Sequence, residues 1–287
     1  MQVTPSRRQF LKLSSLLALA GSLPLLNAQA QTSMAPTKSA KPLCGLQLYT
    51  LRDMMEKSVQ DTLALVAGVG YREVEFAGYF GHSTKQIKQW LDSHGLQAPS
   101  VHVPLEQLRS NLARVIDDAI VLGHQFIVLP WLSLEQRGSD ISSYQALAAE
   151  LNRYGETLAA AGLTMAYHNH DFELMPVKGG LPYDVLLKET DATLVKMELD
   201  LFWAVKAGVD PRQLFAAHPG RFPCLHIKDK TKQGEMTDVG LGVIDFAALL
   251  PAARSTGGSQ HFFIEHDNSQ NRIQTIRQGY QTLAGLL

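Results

Sequence analysis

Leu163-Thr164-Met165-Ala166-Tyr167-His168-Asn169-His170-Asp171-Phe172-Glu173 is the stretch on which the reading of this chain turns. It opens as a short apolar run with strand-forming residues, which predicts a buried strand. Side chains on a strand alternate between its two faces, so His168 and His170 point the same way. Two imidazoles on one face, followed by the carboxylates Asp171 and Glu173, form a platform for a metal or for proton transfer if that face looks into a cavity. The plainer alternative is a polar strand end that carries one surface histidine.

Working outward, short apolar runs alternate with helical-period segments from Leu43 onward. Strands are predicted at about 44 to 50, 73 to 77, 98 to 103, 125 to 131, 163 to 169, 195 to 201, 223 to 228 and 261 to 266. Helices are predicted between them, at 57 to 68, 83 to 94, 105 to 122, 143 to 161, 181 to 189, 211 to 217, 245 to 256 and 269 to 286. Gly68, Gly70, Gly95, Gly123, Gly162 and Gly257 punctuate the helix ends, where a left-handed cap is needed. Eight strand-helix units make a (β/α)8 TIM barrel over residues 43–287, a single domain. An open doubly wound sheet fits less well, because its glycine-rich turn after the first strand is missing.

A TIM barrel carries its chemistry at the C-terminal ends of the strands, and the titratable residues collect there. Strand two has Glu75 towards its end, strand three has His102, strand five has His168 and His170, and strand six has Glu198 and Asp200. Strand seven has His226, Lys228 and Asp229, and strand eight has Glu265, His266 and Asp267. Glu73, Lys196 and His261 lie nearer the strand starts. Asp200, His226 and Glu265 fall at one height on consecutive strands. With His168 or a carboxylate from strand five they make a four-cornered nitrogen and oxygen site for one divalent ion. Mn²⁺ suits it, Mg²⁺, Co²⁺ or Zn²⁺ are alternatives, and the lack of thiolates argues against a structural zinc. Taken singly, Asp200 could cap the next turn, His226 could be an interior histidine, and Glu265 could pair with Lys228.

Composition sets the class. Hydrophobic residues make up 45% of the 287 and charged residues 18%, as in a soluble globular protein with a sizeable core. The formal net charge of -1 suggests no nucleic-acid or anionic-membrane partner. Residues 1–30 differ from the rest. Ser6-Arg7-Arg8-Gln9-Phe10-Leu11-Lys12 leads into an apolar run from Leu13 to Leu26, and Ala28-Gln29-Ala30 offers a cleavage site. This leader resembles a cleavable twin-arginine signal peptide, which implies export to the periplasm after folding and no stable membrane anchor once it is removed. Cleavage takes away Arg7, Arg8 and Lys12 and no acid, leaving 23 basic against 27 acidic residues. Residues 31–42, rich in Ser, Thr, Ala, Pro and Lys, read as a flexible linker. Cys44 and Cys224 open strands that are not neighbours, so both are expected to be free thiols.

Seven motifs carry a family resemblance: Gly45-Leu46-Gln47-Leu48-Tyr49-Thr50-Leu51-Arg52, Tyr71-Arg72-Glu73-Val74-Glu75-Phe76, His168 to Glu173, Glu198-Leu199-Asp200-Leu201-Phe202-Trp203, Leu225-His226-Ile227-Lys228-Asp229, Asp238-Val239-Gly240-Leu241-Gly242-Val243-Ile244-Asp245-Phe246, and Phe263-Ile264-Glu265-His266-Asp267. From Leu43 to Leu287 the chain resembles the sugar phosphate isomerase/epimerase family with the xylose isomerase-like barrel. The resemblance implies one divalent metal held by a Glu, Asp, His, Glu set from strands five to eight. Asp200, His226 and Glu265 match the last three positions, and His168 stands where the first glutamate is expected, so that either His168 takes that corner, the favoured reading, or Glu173 folds back to bind the metal or substrate. The implied chemistry is proton abstraction next to a carbonyl through a metal-stabilised enediolate, by a sugar isomerase or epimerase. Glu265 keeps one proton-carrying role, and Glu173 or His170 supplies the other.

An imidazole in that second role makes a 3-keto-glycoside lyase or hydratase the alternative, and a non-catalytic periplasmic sugar-binding barrel is a third reading. Lys228 is expected to stabilise an oxyanion or a sugar hydroxyl. Glu75 and His102 are expected to bind sugar hydroxyls, with Trp203, Phe172 and Trp131 as walls. The partner is then a small sugar or glycoside, and a homo-oligomer is possible. An endonuclease on the same barrel is disfavoured by the acidic mature chain. A phosphorylated substrate is disfavoured too, although Asp238 to Gly242 could offer backbone amides to an anion.

Overall fold

The computed structural model describes residues 43–287, so the leader at 1–30 and the linker at 31–42 fall outside the described residues. Eight parallel strands form a closed barrel: β1 (Cys44–Gln47), β2 (Glu73–Phe76), β3 (Gln97–His102), β4 (Phe126–Leu129), β5 (Thr164–His168), β6 (Val195–Asp200), β7 (Cys224–Ile227) and β8 (His261–Ile264). Each pairs with the next in chain order, and Cys44 opposite Phe262 closes the ring from β1 to β8. A helix follows each strand, and the predicted (β/α)8 architecture is the one observed. Local chemistry sets the helix ends. Ser83 and Gln86 form a reciprocal capping box at the start of Thr84–His94, and Gly95 closes that helix at φ 63°. Two expected glycine caps differ: Gly68 lies inside the helix Val59–Val69, and Gly258, not Gly257, takes the left-handed conformation. Among the described residues no helix is long and apolar enough to cross a membrane.

Period-two alternation divides the side chains of the strands between two environments. Outward residues such as Leu46, Val74, Ile127, Met165, Tyr167, Leu199 and Ile264 pack under the helices in the main core. Phe126, Val128, Ala166, Cys224 and Phe263 form a separate small apolar cluster. Gly45 is part of that packing, because a Cβ there would stand 2.5 Å from the Phe263 ring. Above the cluster the interior turns polar with Gln47, Glu75, Ser100, His168, Glu198, Asp200 and His226, all buried. Near the strand starts Glu73 pairs with His261 at 3.0 Å, away from the cluster described below. Cys44 and Cys224 are buried and free, on strands separated by β8.

Candidate active site

Three elements that the sequence pattern does not predict follow strand ends. The short helices Leu134–Arg137 and Leu201–Lys206 and a ribbon of Asp229–Lys230 with Met236–Thr237 rise from the same end of the barrel. Asp200 ends β6 and does two things at once. Its Oδ1 caps Leu201–Lys206 by accepting from the Trp203 amide at 3.0 Å, and its Oδ2 faces His168 and Lys228. The amide of Asp200 donates to Asn169 Oδ1 at 3.1 Å, which ties β6 to the end of β5.

His168, Asp200, His226 and Glu265 converge, with one ligand atom from each lying within 4.8 Å of the other three. The donor set tests whether a cation fits. His168 Nδ1 lies 3.0 Å from the Pro130 carbonyl, an acceptor, so Nδ1 carries the proton and Nε2 keeps a lone pair. That lone pair faces Asp200 Oδ2 at 3.3 Å. His226 Nδ1 and Glu265 Oε2 approach to 2.8 Å, yet neither has a well-aligned hydrogen-bond partner. Imidazole nitrogens and carboxylate oxygens that converge in a buried space are the donor set of a cation site, and the residues fit a divalent ion. Burial and the neighbouring His226 lower the His168 pKa, in keeping with a neutral ligand. Burial opposes ionisation of Asp200, but Lys228 and the histidines overcome it and hold the carboxyl down at about 2.

Lys228 is 1% exposed, and its ammonium reaches Glu265 at 2.7 Å, Asp267 at 2.9 Å and Asp200 at 3.1 Å. Burial opposes its charge, and those carboxylates raise its pKa well above the usual lysine value. Capping by Asp200 and pairing of Glu265 with Lys228 are therefore both present, and neither displaces the convergence of the four side chains.

An open cavity of about 560 Å³ lies over the cluster. His102, His168, His170, Lys228, Glu265 and Asp267 line it, with Tyr49 and Trp131 also on its wall. His170 stacks near-parallel on Phe172 and tilts against Trp203, with ring centroids 5.6 and 5.4 Å away, and its Nδ1 is buried without a partner. Burial and His168 push its pKa down to about 2, so the ring is neutral. Trp203 and Phe172 thus wall His170 and do not line the cavity themselves.

Two expected roles need correction. Glu173 does not face the cavity: the 3-10 turn Phe172–Leu174 carries it behind β5, where it accepts from Tyr167 Oη at 2.6 Å and from the His170 amide at 2.7 Å. Its carboxylate holds the turn that presents His170, and burial raises its pKa to about 7. Glu75 is not a sugar ligand either, being 0% exposed with its contacts inside the protein. Gln47 donates to its Oε2 at 2.6 Å, Ser100 donates to Oε1, and His226 Nε2 lies 2.8 Å from Oε2. Glu198, not given a site role from sequence, completes this deeper layer with Oε2 at 2.9 Å from His102 Nε2. The signal for it was present, since Glu198 lies two residues before Asp200 and so shares its inward face.

The amides that could have offered an anion site are taken. Gly240 and Gly242 both donate to Asp229 Oδ2 at 2.9 Å, and Ile244 donates to Oδ1 at 3.1 Å. The protein's own carboxylate engages these donors.

The family model of the xylose isomerase-like TIM barrel matches residues 63–286. The inosose dehydratase of Lacticaseibacillus casei is 23% identical over 233 residues, which is 68% of this chain and 78% of the relative. The inosose dehydratase of Geobacillus thermodenitrificans is 23% identical over 252 residues, 73% of this chain and 82% of the relative. A sugar phosphate isomerase/epimerase from Parabacteroides distasonis superposes with a TM-score of 0.73 at 24% identity, covering 88% of this chain and 96% of that one. At that identity the likeness speaks for the fold.

Proposed function

Because the chain belongs to the xylose isomerase-like TIM barrel family, we propose that it is a divalent-metal-dependent enzyme that removes a proton next to the carbonyl of a keto-sugar or keto-polyol and then expels a β-hydroxyl or β-alkoxyl group. The observation that carries this reading is the replacement of a paired carboxylate by an imidazole. Glu265 and His170 both line the cavity, whereas Glu173 is turned behind the strand. The inosose dehydratase relatives point to the same reaction class.

His168, Asp200, His226 and Glu265 would hold a divalent ion, manganese by preference, which would supply Lewis acidity to the site. The neutral His170 ring offers a lone pair for the carbon-bound proton. Its basicity is low as it stands, and it rises against the negative charge that builds on the substrate. Lys228, fixed by three carboxylates, presents an ammonium to a developing oxyanion or to the departing oxygen. Tyr49 and Trp131 on the wall supply flat apolar faces for a ring. With the Gly240 and Gly242 amides engaged by Asp229, an unphosphorylated substrate suits the site. Isomerisation or epimerisation is the second reading, supported by Glu265, which lines the cavity and is able to return a proton.

The test follows manganese-loaded protein on a panel of 3-keto-glycosides, ketoses and keto-polyols in D₂O. Solvent deuterium at the α-carbon reports proton abstraction, and an absorbing unsaturated ketone reports elimination. Asp200→Asn, which keeps an oxygen for the helix cap, is expected to lower both by more than about 100-fold. Full activity of that variant, or no exchange on any ketone, would reject the assignment.

A further inference from the structure

We propose that Glu75 is the positioning residue of the metal site, fixing which nitrogen of His226 is free to bind the ion, and that the layer around it is not a second metal site. This rests on the metal reading above.

Gln47, Glu75, Ser100 and Glu198 are inward-facing, buried residues that meet beneath the four converging ligands. Glu75 receives Gln47, Ser100 and His226, and His102 Nε2 lies 3.2 Å away. A carboxylate surrounded by donors is an acceptor, so the hydrogen between it and His226 sits on Nε2. His226 Nδ1, 2.8 Å from Glu265 Oε2, is then the nitrogen left to give up its proton and offer its lone pair when an ion binds. Only that tautomer can serve the upper cluster, and Glu75 selects it across the ring of strands from β2 to β7.

The deeper quartet Glu75, His102, Glu198 and His226 also brings four ligand atoms within 4.8 Å of one another, so an ion there is the rival account. Two features argue against it. His102 and His226 both form aligned hydrogen bonds through Nε2 to carboxylate oxygens, at 2.9 and 2.8 Å, whereas His226 Nδ1 and Glu265 Oε2 in the upper cluster lack such partners. A neutral His226 has one lone pair and cannot serve both groups. Glu198 Oε1 is buried without a partner, which makes Glu198 the residue that distinguishes the two accounts.

The experiment measures manganese stoichiometry and affinity by chelator competition in the wild type, Glu75→Gln, Glu75→Leu and Glu198→Gln, with histidine ¹⁵N NMR to report the His226 tautomer. One ion per chain is expected throughout. Affinity should fall roughly 10- to 100-fold in Glu75→Leu and less in Glu75→Gln, which keeps an acceptor oxygen. The Nε2-protonated tautomer should dominate in the wild type and become mixed in Glu75→Leu. Two ions per wild-type chain, with one lost in Glu198→Gln, would overturn the proposal, as would unchanged affinity and tautomer in both Glu75 variants. If Glu75→Leu does not fold, Glu75→Gln decides. A wild type that binds no ion refutes the metal reading, while the tautomer still judges Glu75 by itself.

Discussion

Lys228 is the residue on which the electrostatics of the site balance. Its ammonium lies 2.7 Å from Glu265 and 3.1 Å from Asp200, the same two oxygens, Oε2 and Oδ2, that face the histidines of the cluster. An ion bound there would compete with the ammonium for two oxygens and share with it the neutralising of the rest. In Lys228→Met the carboxylates lose their buried counter-charge, and breaking such a pair costs about 3–5 kcal/mol. The variant is expected to melt early without added metal, to recover much of that loss with manganese, and to bind the ion about tenfold more tightly, worth ~1.4 kcal/mol. Thermal melts with and without manganese check it, and a variant that melts like the wild type in both conditions contradicts the competition. The types and spacing of these residues were legible in the sequence, because Asp200, His226, Lys228 and Glu265 stand at strand ends with period two. The competition was not, because it depends on where one flexible side chain ends among carboxylates from other strands.

Between residue and fold, the turn after β5 shows how far local pattern reaches. The strand and His168 follow from alternation, but His170 lies two residues and Glu173 five residues past its last residue, where strand geometry no longer holds. There the 3-10 turn Phe172–Leu174 swings the carboxylate to Tyr167, an outward residue of the strand itself. Likewise, the bonds from His102 to Glu198 and from His226 to Glu75 join strands distant in sequence, and only closure of the ring brings them together. The burial of Glu173 has a pH consequence. With its pKa raised from 4.5 to about 7, the native state holds this proton more tightly than the unfolded chain. Its contribution is full below pH 4.5 and is lost as pH rises through 7, a change of about 3 kcal/mol. Glu173→Gln cannot release that proton, so the wild-type minus variant difference in unfolding free energy should fall across this window. A flat difference from pH 4 to 8 contradicts the assignment.

Across the described residues, the upper interior of the barrel, above the Glu73–His261 pair, holds four buried carboxylates, Glu75, Glu198, Asp200 and Glu265, against one buried ammonium, Lys228. Histidine protonation offsets part of this excess: burial opposes charge on His102, yet Glu75 and Glu198 raise its pKa to about 9. A sugar-binding barrel with no ion would gain nothing from such a layer, since neutral hydroxyls do not compensate buried charge. The four converging side chains come from β5, β6, β7 and the end of β8, half of the ring, so an ion held among them would brace the fold as well as the site. At 100 times its dissociation constant, a ligand of the native state adds about 2.7 kcal/mol. For a domain of this size that corresponds to a rise of roughly 5–10 °C in the melting midpoint. Scanning calorimetry should show that rise when manganese is added to chelator-treated protein and its reversal by excess chelator. Asp200→Asn should show almost none of it. A midpoint indifferent to manganese in the wild type would mean that the excess charge is met by protons alone, and the barrel would then have to be read as a binder of uncharged sugars.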